Sequence, residues 1–190
     1  TYLDDLTFVN DLEGNIFFDN NKINKLKLDS TFTNKKKINL TINKNKNNEK
    51  ITTLYSGYPK PLVKRYKFIK GFEEGVLDFY SIKKNDISNS TLVIDNFKVQ
   101  EVPVLAKLLT LASLQGVADL LTGEGIRFTD FEMKFSTEKK LTKIEEIYAI
   151  GPAISILMSG YIEQNKLISL RGTLVPATTI NRTIASIPII

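Results

Sequence analysis

Ile38, Leu40 and Ile42 alternate with Lys37, Asn39, Thr41 and Asn43. An extended chain of this pattern puts its apolar side chains on one face and its polar ones on the other. The same period recurs near Leu12 to Phe18, Ile23 to Phe32, Ile51 to Tyr55, Val76 to Ile82, Thr91 to Val99, Ile126 to Phe135, Leu141 to Ile150 and Leu167 to Leu174. Ile154, Ile156 and Met158 alternate with Ser155 and Ser159 in the same way. Polar clusters separate several of these segments: Asp19-Asn20-Asn21-Lys22, Thr33-Asn34-Lys35-Lys36, Thr137-Glu138-Lys139-Lys140 and Glu163-Gln164-Asn165-Lys166. Each has the composition of a hairpin turn. The expected fold class is therefore mainly β, an antiparallel curved sheet or groove of many short strands, with one apolar and one wet face.

The period breaks in a few places. The step from Phe128 to Phe131 is odd, which calls for a bulge or bend around Thr129-Asp130. Val63 to Gly71 follows Pro59 and Pro61 and reads as a short helix or turn, and the polar run Asn43 to Lys50 reads as a loop. The stretch "VPVLAKLLTLASLQGVADLLTGEG", Val102 to Gly125, reads as helix, with Pro103 suited to a first turn and Gly123 to a C-terminal stop. As one straight helix its apolar residues fall on every side. Divided near Ser113 to Gly116, it shows one stripe of Leu105, Leu108, Leu109 and Ala112 and another of Leu114, Val117, Leu120 and Leu121. A kinked amphipathic helix pair over about 103–121 is expected. Its interior Gly, Gln and Lys disfavour a membrane span.

Composition narrows the chemistry. The 190 residues include no cysteine, histidine or tryptophan. That removes disulfides, thiolate and imidazole metal ligands, and the usual general base. Neither metal nor cofactor is expected. The adjacent acids Asp4-Asp5, Glu73-Glu74 and Glu145-Glu146 point to opposite sides of an extended chain, so none forms a working carboxylate pair. Ser81 near Lys83 and Lys84 does not stand out as a nucleophile, and Gly123-Glu124-Gly125 lacks the third glycine of a dinucleotide turn. No catalytic residue is assigned. The formal net charge of +5 favours anionic partners, though lysines and acids are mixed along the chain. Lys64, Arg65 and Lys67, interleaved with Tyr66 and Phe68, are the candidate head-group cations. No nucleic-acid module accompanies them, so nucleic acid is not an expected partner. Thr1 in place of Met reads as the start of an excised piece, and no uninterrupted apolar stretch long enough for a bilayer is present in it.

From Asp95 onward the residues "DNFKVQEVPVLAKLLTLASLQGVADLLTGEGIRF", "IYAIGPAISILMSGYI" and "LRGTLVPATTINRTIASIPII" follow a distinctive order. A strand feeds an apolar helix pair, followed by the Gly-Glu-Gly-Ile turn, Gly151-Pro152, Ser159-Gly160, Gly172-Thr173 with Val175-Pro176-Ala177, and Ile187-Pro188. This series resembles the C-terminal region of the AsmA-like family of bacterial envelope proteins. Residues 1–94 match more loosely, through "FIKGFEEGVLDFYS", so 1–190 is read as one section of an AsmA-like β-rich domain with its specific part at 95–190. The resemblance implies a periplasmic protein, anchored in the bacterial inner membrane through a segment outside this piece. It further implies an apolar β-groove, and a role in phospholipid transport between inner and outer membranes and in outer-membrane homeostasis.

Two short helices are few for so many strands, so part of the apolar face is expected to be left for lipid; the alternative is that the helices and a curled sheet close a complete dry core. Ile38, Leu40, Ile42, Ile154, Ile156 and Met158 are the candidate acyl-chain contacts. The expected function is a non-catalytic lipid-handling module. The alternative is a structural or assembly module for outer-membrane biogenesis that conducts no lipid.

Overall fold

The computed structural model describes residues 7–64, 70–100, 123, 125–163 and 167–176. They form ten strands, β1 (Val9–Asp19), β2 (Lys22–Phe32), β3 (Lys37–Lys44), β4 (Lys50–Ser56), β5 (Lys70–Lys84), β6 (Ile87–Gln100), β7 (Ile126–Glu138), β8 (Leu141–Ile150), β9 (Ile154–Glu163) and β10 (Leu167–Pro176). All lie in one open sheet whose spatial order is the sequence order, each strand antiparallel to the next. The alternating segments thus fold as the mainly antiparallel sheet that their period requires. A single short helix, α1 (Lys60–Lys64), is present among the described residues and lies between β4 and β5. The kinked pair expected over 103–121, with Leu105, Leu108, Leu109, Leu114, Val117 and Leu121 on its apolar face, lies outside the described residues.

Short turns keep neighbours in sequence adjacent in the sheet. Asn20, Asn21, Lys35, Asn48, Asn85 and Lys139 all take positive φ at these turns. Asn tolerates the left-handed region because its short side chain bonds locally. The β3–β4 connection is tighter than the sequence suggests. Asn43 and Lys44 complete β3 and Lys50 begins β4, which leaves five residues, Asn45–Glu49, rather than a loop over Asn43 to Lys50. Asn45 organises them: its Oδ1 accepts from the backbone N–H of Asn47 at 3.0 Å and of Glu49 at 2.9 Å. Two other boundaries also moved. β5 starts at Lys70, inside the stretch expected to be helix or turn, and β6 starts at Ile87 rather than near Thr91. Ser88, Asn89 and Ser90 are polar on both faces, so alternation does not reveal them as strand.

The closed part of the structure sits at one end of the sheet. Phe72, Leu77, Ile94, Phe97, Val99, Ile126, Phe128, Ala149, Ile154 and Ile156 form one buried cluster with Val63 of α1. Phe97 is its hub, stacked on Phe72 and on Phe128 at 5.4 Å between ring centroids and edge-on to Phe131 at 6.1 Å. A transverse break in the sheet makes this packing possible. Asp95 pairs with Asp130 and Phe97 with Phe128, while Asn96, at φ +51°, and Thr129 between them form no bridge. The expected irregularity at Thr129-Asp130 therefore has a counterpart on β6, and it extends to β5, where Glu74 and Gly75 take φ of +64° and +83°. Ile94 to Phe97 and Phe128 to Phe131 are both odd steps, of three residues, yet all four side chains join the same cluster.

Gly75 is required at this break. An added Cβ would meet the Phe97 Cβ at 3.0 Å and the Asp95 carbonyl oxygen at 3.1 Å, on a backbone that L side chains avoid. Gly75→Ala is expected to destabilise the fold by about 1–3 kcal/mol, through strain that local relaxation cannot remove. Urea unfolding followed by circular dichroism measures it. An unchanged midpoint would show that the break tolerates a side chain.

Candidate functional site

The register aligns the apolar side chains of different strands into rows. Paired residues of antiparallel strands share a face, so each row is read by following partners across the sheet. Ile38 leads through Ser56, Leu77, Ile94, Phe131 and Ala149 to Ile156. Two residues along, Leu28, Leu40, Leu54, Phe79, Leu92, Met133, Ile147 and Met158 form a second row on the same face. Beyond that row, a bulge in β8 between Ile144 and Ile147 returns Ile144 to the same face, opposite Phe135. The rows differ in cover. Leu77, Ile94, Ala149 and Ile156 of the first are buried, whereas every member of the second is only half-buried. Apolar surface thus leaves the closed core and continues, partly open, across eight strands.

The candidate acyl-chain contacts of β3 and β9 share this face, though they lie on opposite halves of the sheet. Ile38 is in the row of Ile156, and Leu40 is in the row of Met158. Their surroundings differ. Ile38, Leu40, Ile42 and Met158 are half-buried. Ile154 at 0% exposure and Ile156 at 8% belong to the closed cluster and offer no open wall. Among the candidate head-group cations, Lys64 is exposed at the end of α1, next to the closed core, and Arg65 and Lys67 lie outside the described residues. The rows themselves were not visible in the sequence, because they depend on register between strands.

The opposite face is wet and carries its own pairs. Lys27 meets Asp29 at 3.3 Å, Lys134 meets Glu132 at 2.5 Å, and Asn39 Nδ2 donates to Asp29 Oδ1 at 2.6 Å. A depression of about 430 Å³ lies here, where short Asn39, Thr41 and Thr53 are flanked by Lys27, Tyr55 and Tyr80. Side-chain length explains it: the floor residues are shorter than the walls, and Thr41 and Thr53 hydrogen-bond to each other at 2.6 Å. The adjacent acids Glu73 and Glu74 have different partners. Glu73 pairs with Lys60 at 2.5 Å and Glu74 receives both terminal nitrogens of Arg127, at 2.8 and 3.1 Å. The Arg127 hydrogen bonds lower the Glu74 pKa below its ordinary 4.5 and raise that of Arg127. Both groups are largely exposed, so solvent screens the pair. On the apolar face, in the row of Ile42, Ser81 Oγ accepts from Ser90 Oγ at 2.9 Å, a bond between buried hydroxyls of adjacent strands.

Among the described residues no group of three acids, histidines or cysteines is placed to hold a metal, and no helix is long and apolar enough to cross a membrane. Compared with protein-family profiles, curated proteins and solved structures, the chain matches none of them.

Proposed function

We propose that this chain is a non-catalytic lipid-handling section of an AsmA-like bacterial envelope protein, with phospholipid as its ligand. Acyl chains lie on the half-buried row that runs from Leu28 to Met158. That row is the observation that carries the reading: in a soluble domain a sheet face this apolar is covered by a second layer. Among the described residues the one helix is the five-residue α1, and it packs at the closed end. The ordered motifs from Asp95 to Ile190 supply the family part of the proposal. On that resemblance, we take the parent protein to be periplasmic and anchored in the inner membrane, supporting phospholipid transport between inner and outer membranes.

Native mass spectrometry of the purified protein tests this. Retained adducts of phospholipid mass, lost after organic extraction, are expected. A protein that emerges lipid-free from a membrane-containing lysate would favour the alternative, a structural or assembly module. The outer strands give that alternative its own support. Leu12, Ile16, Phe17 and Phe18 on β1 and Leu167 and Ile168 on β10 are exposed at the two sheet edges, where strand addition occurs.

A further inference from the structure

The apolar face is graded along β3 to β6. Its rows run from Ile38, Leu77 and Ile94, through Leu40, Leu54, Phe79 and Leu92, to Ile42 with the hydroxyls of Thr52, Ser81 and Ser90. The next row on the same face is cationic. Lys44 pairs with Lys50, and Lys50 pairs with Lys83. Like charges placed directly opposite on neighbouring strands have Cβ atoms about 5 Å apart and repel, which destabilises a sheet. Nothing in the described structure offsets this repulsion. None of the three lysines has an ion pair or side-chain hydrogen bond among the described residues, and Glu49, the nearest acid in sequence, is held by Asn45 at 2.8 Å and Lys84 at 3.5 Å. The lysines are nevertheless at the end of the face where apolar side chains give way to hydroxyls.

We infer that Lys44, Lys50 and Lys83 form a phosphate-binding rim, which receives the head group of an anionic phospholipid whose acyl chains run along β3 to β6 toward the closed core. The inference rests on the lipid-carrying reading of that face. An anion among three lysines turns a repulsive row into an attractive one, with charge-assisted hydrogen bonds from ammonium groups to phosphate oxygens. Dimensions agree. Six residues of strand separate the Ile38 row from the Lys44 row, roughly 20 Å at about 3.4 Å per residue. A phospholipid tail occupies half of a bilayer core, about 15 Å. A tail lying along the strands from the hydroxyl row reaches the aromatic cluster while its phosphate stays at the lysines. The cationic row ends at β5, because the partners continuing it are Ser88, Thr137 and Thr142. Head-group recognition is therefore confined to one side of the sheet.

The test compares the wild-type chain with the K44Q/K50Q/K83Q variant, using two fluorescent probes with identical acyl chains, phosphatidylglycerol and diacylglycerol. Wild type is expected to bind phosphatidylglycerol about tenfold more tightly than diacylglycerol, a preference that shrinks with added salt. The variant should lose the preference and keep its diacylglycerol affinity. Its unfolding midpoint should hold or rise, since removing like charges relieves repulsion. An unaltered preference in a folded variant would overturn the rim while leaving the lipid-carrying face intact. Absence of binding of either probe to wild type would instead overturn the face itself, and the rim with it. Inorganic phosphate that binds wild type as tightly as phosphatidylglycerol, and is lost in the variant, would assign the lysines to free anion and overturn the lipid head group.

Discussion

Replacing Phe97 with Ala is expected to lower the unfolding free energy by about 3–5 kcal/mol, a large share of the roughly 5–15 kcal/mol that holds a typical domain. Phe97 is 5% exposed and touches three other rings, two of them stacked at 5.4 Å. Truncation loses the transfer energy of the ring and leaves a cavity that its neighbours fill poorly. They are held by the pairing of β5 and β7 on either side of β6, which limits how far they can slide inward. Chemical denaturation of the variant measures the loss. A change below about 1 kcal/mol would mean that the aromatic cluster is peripheral to the stability of the sheet. The same substitution should leave the half-buried row in place wherever the sheet survives, because that row lies farther along the strands.

The strands were legible because alternation is a local property: each apolar segment shows its period within a few residues, and polar turns mark its ends. Asn20, Asn21 and Lys139 take positive φ inside clusters that composition alone marks as turns. Depth was not legible in the same way. Ile156 and Met158 are successive members of one alternating run, yet Ile156 is in the closed core and Met158 lies half-open. What separates them is their place in the cluster that Phe72, Phe97 and Phe128 bring together from three strands: Ile156 is a buried member of it, and Met158 packs against its margin. Period two identifies the face and says nothing about what covers it. The lysine row escaped for a related reason. Lys64, Arg65 and Lys67 attract notice because they are close in sequence, whereas Lys44, Lys50 and Lys83 become a group only when the register of two hairpins is fixed. Read singly, each is an ordinary surface lysine.

Replacing Leu40 with Asp is expected to remove retained phospholipid, by at least about tenfold in stoichiometry, while the sheet remains folded. An aspartate placed in hydrocarbon costs about 2.5–3.5 kcal/mol on insertion scales, which would shift lipid occupancy by more than tenfold. The cost to the fold is smaller. Leu40 is half-buried between Leu28 and Leu54 and is not packed against the closed cluster, so the new carboxylate reaches water once lipid has left. Lost strand propensity and partial loss of apolar contact together amount to about 1–2 kcal/mol. Ile156→Asp is the matched control on the same face. At 8% exposure within the cluster, its carboxylate has no route to solvent and no partner, a situation that costs about 3–5 kcal/mol and is expected to unfold the protein. Circular dichroism and lipid extraction on the two variants give opposite patterns if the face is closed at Ile156 and open at Leu40. Lipid retained by a folded Leu40→Asp protein would show that acyl chains do not lie on this row. An unfolded Leu40→Asp protein would show that the row is as closed as the core, and the lipid-carrying reading of the face would fall with it.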